Sequence, residues 1–400
     1  MTDTTAAEFR KEGTRALDIA RELPLQIARA QDLPGYDLKG VEAKGITDRP
    51  ALSALPVMRK SDLVRLQSEQ PPLGGLTGPL ADFTHVFQSP GPIYEPGRMD
   101  GDFFRLGRFL RACGIGDGDV VQNCFGYHLT PAGMMFESGA RAVGAVTLPA
   151  GTGQTELQVR AAAQLGVTAY AGTPDYLKVM LEKADELSLS LAITKAAVSG
   201  GALFPSLREF YADRGIACRQ CYATADLGSI AYESDAMEGL IVDEGVIVEI
   251  VTPGTGDPVA EGEVGEVVVT SLNPLYPLIR FATGDLSAVL PGTSPCGRTN
   301  MRIKGWMGRA DQTAKIKGMF VRPEQVADLV ARLGVDRARV TVTREGEADA
   351  MHVALEGDPS GDADTAVRDI LKLRGTVETV APGSLPRDGK VIDDQRQYDT

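Results

Sequence analysis

Between about residue 100 and residue 215 the apolar positions follow two alternating rhythms. Apolar residues spaced by three and four mark 101–113 (GDFFRLGRFLRAC), 131–143 (PAGMMFESGARAV), 154–165, 174–187 and 205–214 as helices. Pro131 stands at a helix-entry position. Between these segments lie short apolar runs that read as strands: 119–125 (DVVQNCF), 144–148 (GAVTL, a buried one), 167–171 (VTAYA) and 195–198. Strand alternating with helix predicts a parallel sheet covered on both faces.

After about residue 230 the texture changes. Residues 246–251 (VIVEIV) and 264–270 (VGEVVVT) are β-branched runs, and the neighbouring PGTGDP and AEGEVG are turn-forming. This pattern predicts antiparallel structure. The C-terminal part mixes helices (323–333, 364–373) with strands (338–344, 351–355), as a small α+β domain does. Residues 1–80 read as helical and then irregular, broken by Pro34, Pro50, Pro56, Pro71, Pro72 and Pro79. The expected fold is α/β: a large N-terminal domain (1–308) with mostly parallel sheets flanked by helices plus an antiparallel subdomain, then a small mobile C-terminal α+β domain (309–400).

A chain of 400 residues exceeds what one core usually serves, which supports two domains. Its 41 basic and 54 acidic residues leave a net charge of −13. Such a chain repels phosphate backbones, so nucleic acid is not an expected partner. No apolar run approaches the roughly 20 residues that span a bilayer. The N-terminal MTDTTAAEFRKEG lacks an apolar signal core, so no membrane partner and a cytoplasmic location are expected. Five cysteines, an odd number in a long chain, argue against a disulfide framework. Cys218 and Cys221 have metal-like spacing but no second such pair, and read as buried unpaired thiols.

Several segments carry candidate chemistry. GAVTLPAGTGQTELQV (144–159) alone is an ordinary strand–turn–helix connection. VSGGALFPSL and CYATADLG lie within 198–228. YPLIRFATGDL (276–286) presents Asp285, which alone reads either as a turn residue after Gly284 or as an acceptor-only carboxylate for a ligand. IKGWMGRADQTAKIKGMFVRP (303–323) and the late LPRDGK follow, and a lone terminal lysine is usually a solvated one.

In this order the segments, over about residues 85–400, resemble the phenylacetate–CoA ligase branch of the adenylate-forming enzymes. The resemblance implies an ATP-dependent acid–CoA ligase, with ATP, Mg²⁺ and coenzyme A as cofactors and an aromatic or small hydroxy acid as substrate. It implies that Gly200, Gly201 and Ala202 line the nucleotide and acyl pocket, with Tyr222 stacking on adenine beside Ala223. Thr224 would bond phosphate, and Asp226 would stand near Mg²⁺ in place of the usual Glu, either directly or through water. Asp285 would accept from both ribose hydroxyls and Arg309 would touch the ribose. Asp311 would be the hinge, Gly318 would border the CoA tunnel, and Lys390 would serve the adenylation half-reaction. Phe125, Tyr127 and His128 fall at the acyl pocket; His128 reads equally as a satisfied core histidine. A homodimer is common among such relatives.

The chain departs from that pattern in two places. Where the family has a phosphate loop, Ser-Ser-Gly-Thr-Thr-Gly-Lys-Pro, this chain has QSPGPIYEPG (88–97), retaining Ser89, Gly91 and Pro96. Pro92 and Ile93 replace the threonines, Tyr94 a glycine and Glu95 the lysine. Pro90, Pro92 and Pro96 remove backbone donors. A carboxylate here repels a triphosphate unless a metal or an arginine such as Arg98 intervenes. His85 is a candidate for a lost phosphate contact, and His352 reads as structural. Second, Ser234, Ile241 and Ser294 stand where relatives carry metal ligands beside Cys296, so no zinc is expected. Two alternatives stay open: a non-catalytic nucleotide or acyl-CoA binding protein, and an enzyme whose acceptor is a protein carrier.

Overall fold

The structure, a computed structural model, describes residues 6–89, 92–201, 203–312, 314–316, 319–345, 348–386 and 390–396. The chain divides into two compact units, one formed by 1–283 with 288–305, the other by 284–287 with 306–400.

The first unit is built on a parallel sheet ordered Val146–Pro149, Val120–Asn123, Ala169–Gly172, Lys195–Val198, Ala217–Thr224. Helices Leu106–Ala112 and Ala132–Ala142 cover one face through Leu106, Phe109, Phe136 and Ala140. Thr155–Leu165, Pro174–Glu186 and Pro205–Asp213 cover the other through Val159, Leu177, Met180 and Tyr211. The alternating pattern therefore specifies the doubly covered sheet. Val146–Pro149, however, is an edge strand and not a buried one, with Val146 63% exposed. Neither its length nor its apolar content could reveal that it has a neighbour on one side only.

The helix expected over 101–113 is confined to Leu106–Ala112. Asp102 instead accepts from the Gly107 backbone N–H at 2.9 Å, and Arg105 adopts a positive φ of 63°. That turn sends the Arg105 guanidinium to buried Asp243 (3.1 Å) and to the carbonyl of Ser229 (2.9 Å). Tertiary hydrogen bonds to a buried carboxylate outweigh one turn of local helix.

Ala217–Thr224 then turns into Gly228–Tyr232, which pairs with it antiparallel and opens the antiparallel region that continues through Leu240–Val242, Val246–Val251 and Val264–Ser271. Apart from this sheet, His85–Ser89 and Ile93–Gly97 form a hairpin that places Phe87 opposite Glu95. The stretch aligned with a phosphate loop is thus strand over most of its length.

Arg280 organises the junction before strand Phe281–Leu290. It is 2% exposed, has φ 45°, and donates to Glu249 (3.0 Å) and to the carbonyls of Ser53 (2.8 Å), Leu55 and Gly256 (2.7 Å).

The second unit carries a four-stranded sheet ordered Thr376–Val380, Ala348–Glu356, Arg337–Glu345, Ile392–Asp394, with helices Pro323–Leu333 and Ala363–Leu371. Val340, Val353, Leu329 and Val367 fill its own core. No helix among the described residues is long and apolar enough to cross a membrane.

Removing the buried guanidinium leaves Glu249 without its counter-ion. Arg280→Ala should therefore cost roughly 3–5 kcal/mol of stability, read as a lowered urea midpoint. A midpoint within error of the parent would contradict this account.

Candidate functional site

In the first unit the candidate residues gather at the C-terminal ends of the parallel strands, where α/β sheets form ligand crevices. Asn123, 1% exposed, ends its strand and donates through Nδ2 to the Tyr127 hydroxyl at 2.8 Å. Phe125 is buried and stacks on Phe136, centroids 4.4 Å apart. Gly200 follows strand Lys195–Val198 with φ +71°; a Cβ there would stand 3.8 Å from Phe125 Cε1. The Ser199 hydroxyl donates to the Cys221 carbonyl at 2.9 Å and ties this turn to the strand that carries Tyr222 and Ala223. His128 is exposed, which removes the packed-core alternative for it.

Strand Ala217–Thr224 ends in a turn whose N–H at Leu227 donates to Thr224 Oγ1 at 3.2 Å. Gly228 completes it at φ +72°, where a Cβ would lie 2.6 Å from the Phe104 carbonyl. The turn holds Asp226 inward, 7% exposed, with Oδ2 accepting from Lys60 Nζ at 3.2 Å. Its other oxygen, Oδ1, is buried and has no hydrogen-bond partner among the described residues.

Glu95 is 0% exposed and accepts from the Ser89 hydroxyl and from the Ser89 backbone N–H, the latter at 3.1 Å. Burial, reinforced by the charge of Asp226 and opposed by Ser89 and Lys60, pushes its carboxyl up to about 7. Arg98 does not compensate Glu95: it lies outside, donating to Asp100 (2.8 Å) and to the Asp82 carbonyl (2.8 Å). His85 hydrogen-bonds Thr84 (3.0 Å) and stacks on Phe87, at the hairpin end remote from Ser89. Lys60 had no signal in the sequence beyond being a lysine at a helix start.

In the second unit Asp285 and Arg309 meet. Arg309 Nη1 donates to Asp285 Oδ1 at 3.2 Å, and Trp306 Nε1 donates to the same oxygen at 3.0 Å. A backbone bridge pairs the two segments, with Leu286 N–H bonded to the Gly308 carbonyl at 2.8 Å. Gly284 takes the left-handed φ of +74° that a side chain rarely adopts, and the Arg309 guanidinium packs over its bare Cα. Trp306 was missed, although as the chain's one tryptophan, in the segment before Arg309, it was a visible candidate. Lys390 donates from Nζ to Asp393 Oδ1 at 3.1 Å; with Gln395 and Arg339 this holds the Asp393 carboxyl down to about 2. Asp311 lies in the short turn Ala310–Gln312. Gly91, Ala202 and Gly318 lie outside the described residues.

Around Cys296 the structure places one thiol among hydroxyls and a guanidinium. The Ser294 hydroxyl lies 3.1 Å from Cys296 Sγ and Arg298 Nη1 lies 3.6 Å from it. Burial alone would raise this thiol, but hydrogen bonds from Ser234, Ser294 and Arg298 bring it down to about 7. Ile241 is core. Cys113, Cys124, Cys218 and Cys221 are buried, and burial pushes their thiols up, to about 12 for the last three. Among the described residues no group of three or more His, Cys, Asp or Glu is placed to hold a metal ion.

The chain is 28% identical to the phenylacetate-coenzyme A ligase of Thermus thermophilus over 371 residues, 86% of this chain and 82% of that one. It is 27% identical to the Escherichia coli enzyme of that name over 343 residues, 80% and 76% of the two chains. A structure of 2-hydroxyisobutyryl-CoA ligase in an open conformation, in complex with 2-HIB-AMP and CoA, superposes with a TM-score of 0.81 at 23% identity, covering 99% and 95%. No family model matches the chain. The fold is thus that of a CoA ligase, shared with 2-hydroxyisobutyryl-CoA ligase. In sequence the chain resembles the phenylacetate–CoA ligases over most of its length.

Two predictions follow from this geometry. Glu95 is protonated in folded and unfolded chains alike below its ordinary value of 4.5, where its contribution to stability is intact; that contribution is lost as pH rises through about 7. Glu95→Gln should flatten the fall of melting temperature across this window, a difference on the order of 3 kcal/mol. Iodoacetamide at pH 7.5 should modify Cys296 before the four buried cysteines, as read by peptide mass spectrometry; prior labelling of Cys218 or Cys221 would contradict the thiol geometry.

Proposed function

We propose that the protein is an ATP-dependent acid–CoA ligase. A carboxylate attacks the α-phosphate of ATP to give an acyl-adenylate and pyrophosphate, and the CoA thiol then attacks the activated carbonyl to give acyl-CoA and AMP. The observation that carries this reading is the Asp285 carboxylate, fixed by Arg309 and Trp306, in a chain similar to enzymes of this class. Such a carboxylate is suited to accept from paired ribose hydroxyls. In this reading Tyr222, Ala223, Gly200, Gly201 and Ala202 serve the adenine, and Thr224 a phosphate. Lys390 stabilises charge between the carboxylate and the α-phosphate. Asp311 is the hinge between half-reactions and Gly318 borders the CoA path. No covalent enzyme intermediate is needed, so catalysis is charge stabilisation and positioning.

Asp226 fits Mg²⁺, since its Oδ1 is a buried carboxylate oxygen with no hydrogen-bond partner among the described residues, and oxygen ligands suit this ion. Bound there, the ion would neutralise polyphosphate charge. Phe125 and Tyr127 suit an aromatic acid, and exposed His128 suits a hydroxyl on a smaller one. A second reading, a non-catalytic binder of nucleotide or acyl-CoA, draws on the Glu95 hairpin that stands in place of a phosphate loop.

Incubation with ATP, Mg²⁺, CoA and a panel of aromatic and short hydroxy acids should yield AMP and one acyl-CoA by mass spectrometry. Lys390→Ala should lower adenylation by roughly 100-fold or more while sparing thioester formation from supplied acyl-adenylate. No AMP from any acid, with AMP or acyl-CoA still raising the melting temperature, would establish the binder instead.

A further inference from the structure

The hairpin removes one positive charge from the place where the family keeps a lysine and inserts a negative one. Glu95 points inward, fully buried, and is bound to Ser89. It lies within electrostatic reach of Asp226 and Lys60. The Asp226 carboxylate, joined by Glu95 once pH rises through about 7, would repel a polyphosphate, so a cation must answer it if nucleotide is to bind.

Lys60 is that cation by position. It is the first residue of helix Lys60–Glu69, and its side chain is 41% exposed while that of Asp226 is 2% exposed. The ammonium is thus seated on a buried carboxylate yet open to solvent on its other side. An ammonium has three hydrogens, and one is directed at Asp226 Oδ2 at 3.2 Å. The seat also has unused polar capacity. Asp226 Oδ1 has no hydrogen-bond partner among the described residues. Neither does the hydroxyl of Tyr276, which is 3% exposed and within electrostatic reach of both Asp226 and Glu95. The carboxylate oxygen can only accept and so suits the cation that accompanies a polyphosphate, whereas the Tyr276 hydroxyl can donate to the phosphate itself.

We propose that Lys60 contacts the β- and γ-phosphates of ATP, doing from the first turn of its helix what a lysine at position 95 would do from a phosphate loop, with Asp226 as its positioning partner. This rests on the ligase reading for the identity of the ligand. The assignment makes the altered loop compatible with nucleotide: the positive charge has moved from the hairpin to the helix opposite, and Glu95 helps hold it.

The test is nucleotide affinity of the full chain by calorimetry, with Mg²⁺ present, for the parent, Lys60→Gln and Lys60→Arg. If Lys60 meets the terminal phosphates, Lys60→Gln should weaken ATP about 10-fold or more and leave AMP within about twofold, and Lys60→Arg should keep most of the ATP affinity. AMP binding also reports that each variant is folded. Equal weakening of ATP and AMP in Lys60→Gln, or no weakening of either, would overturn the assignment while the parent's ATP binding left the ligase reading standing. A parent that bound neither nucleotide would overturn both.

Discussion

A guanidinium with 2% of its surface exposed sits between the N-terminal segment and the antiparallel sheet. Such a charge is tolerated only when its hydrogens are met, and Arg280 meets them with Glu249 and the carbonyls of Ser53, Leu55 and Gly256. Three stretches far apart in sequence must therefore converge on one side chain. The strand Phe281–Leu290 starts beside it, with Met58 paired to Phe281 and Arg59 to Ala282. Arg59 is also the N-cap of the helix that begins with Lys60. The buried charge thus fixes both the strand that leads to Asp285 and the start of the helix that delivers Lys60.

The electrostatics around Asp226 follow from that placement. A loop that wraps phosphates with backbone N–H groups needs small residues and free donors. Pro92 and Pro96 supply no donors, and Ile93, 2% exposed, belongs to the core. The hairpin spends its polar groups on itself and its neighbours, Ser89 on Glu95 and Tyr94 on Gln67.

The cysteine segment shows a similar exchange. Cys296 has the hydroxyls of Ser234 and Ser294 and the guanidinium of Arg298 around it. These stabilise a thiolate. Ile241, by contrast, packs into the core and contributes nothing polar.

Much of this architecture could be read from the chain alone, because period and composition are local properties. The helix Pro323–Leu333 and the strands Lys195–Val198 and Val246–Val251 lie where apolar spacing puts them. The segment order around Asp285 and Arg309 likewise pointed to a nucleotide-binding class before any geometry was known. What spacing cannot express is which distant residues become neighbours. Val146 is exposed because its strand is last in the sheet, and Arg105 leaves helical geometry because Asp243 lies within its reach. Glu95 reads in sequence as a carboxylate that a metal or an arginine such as Arg98 must answer, yet Arg98 bonds Asp100 and Asp82 while burial and Ser89 set the state of Glu95. Periodicity is set by the backbone of one segment. The sign and partners of a charge are set only when separate segments pack together and exclude water.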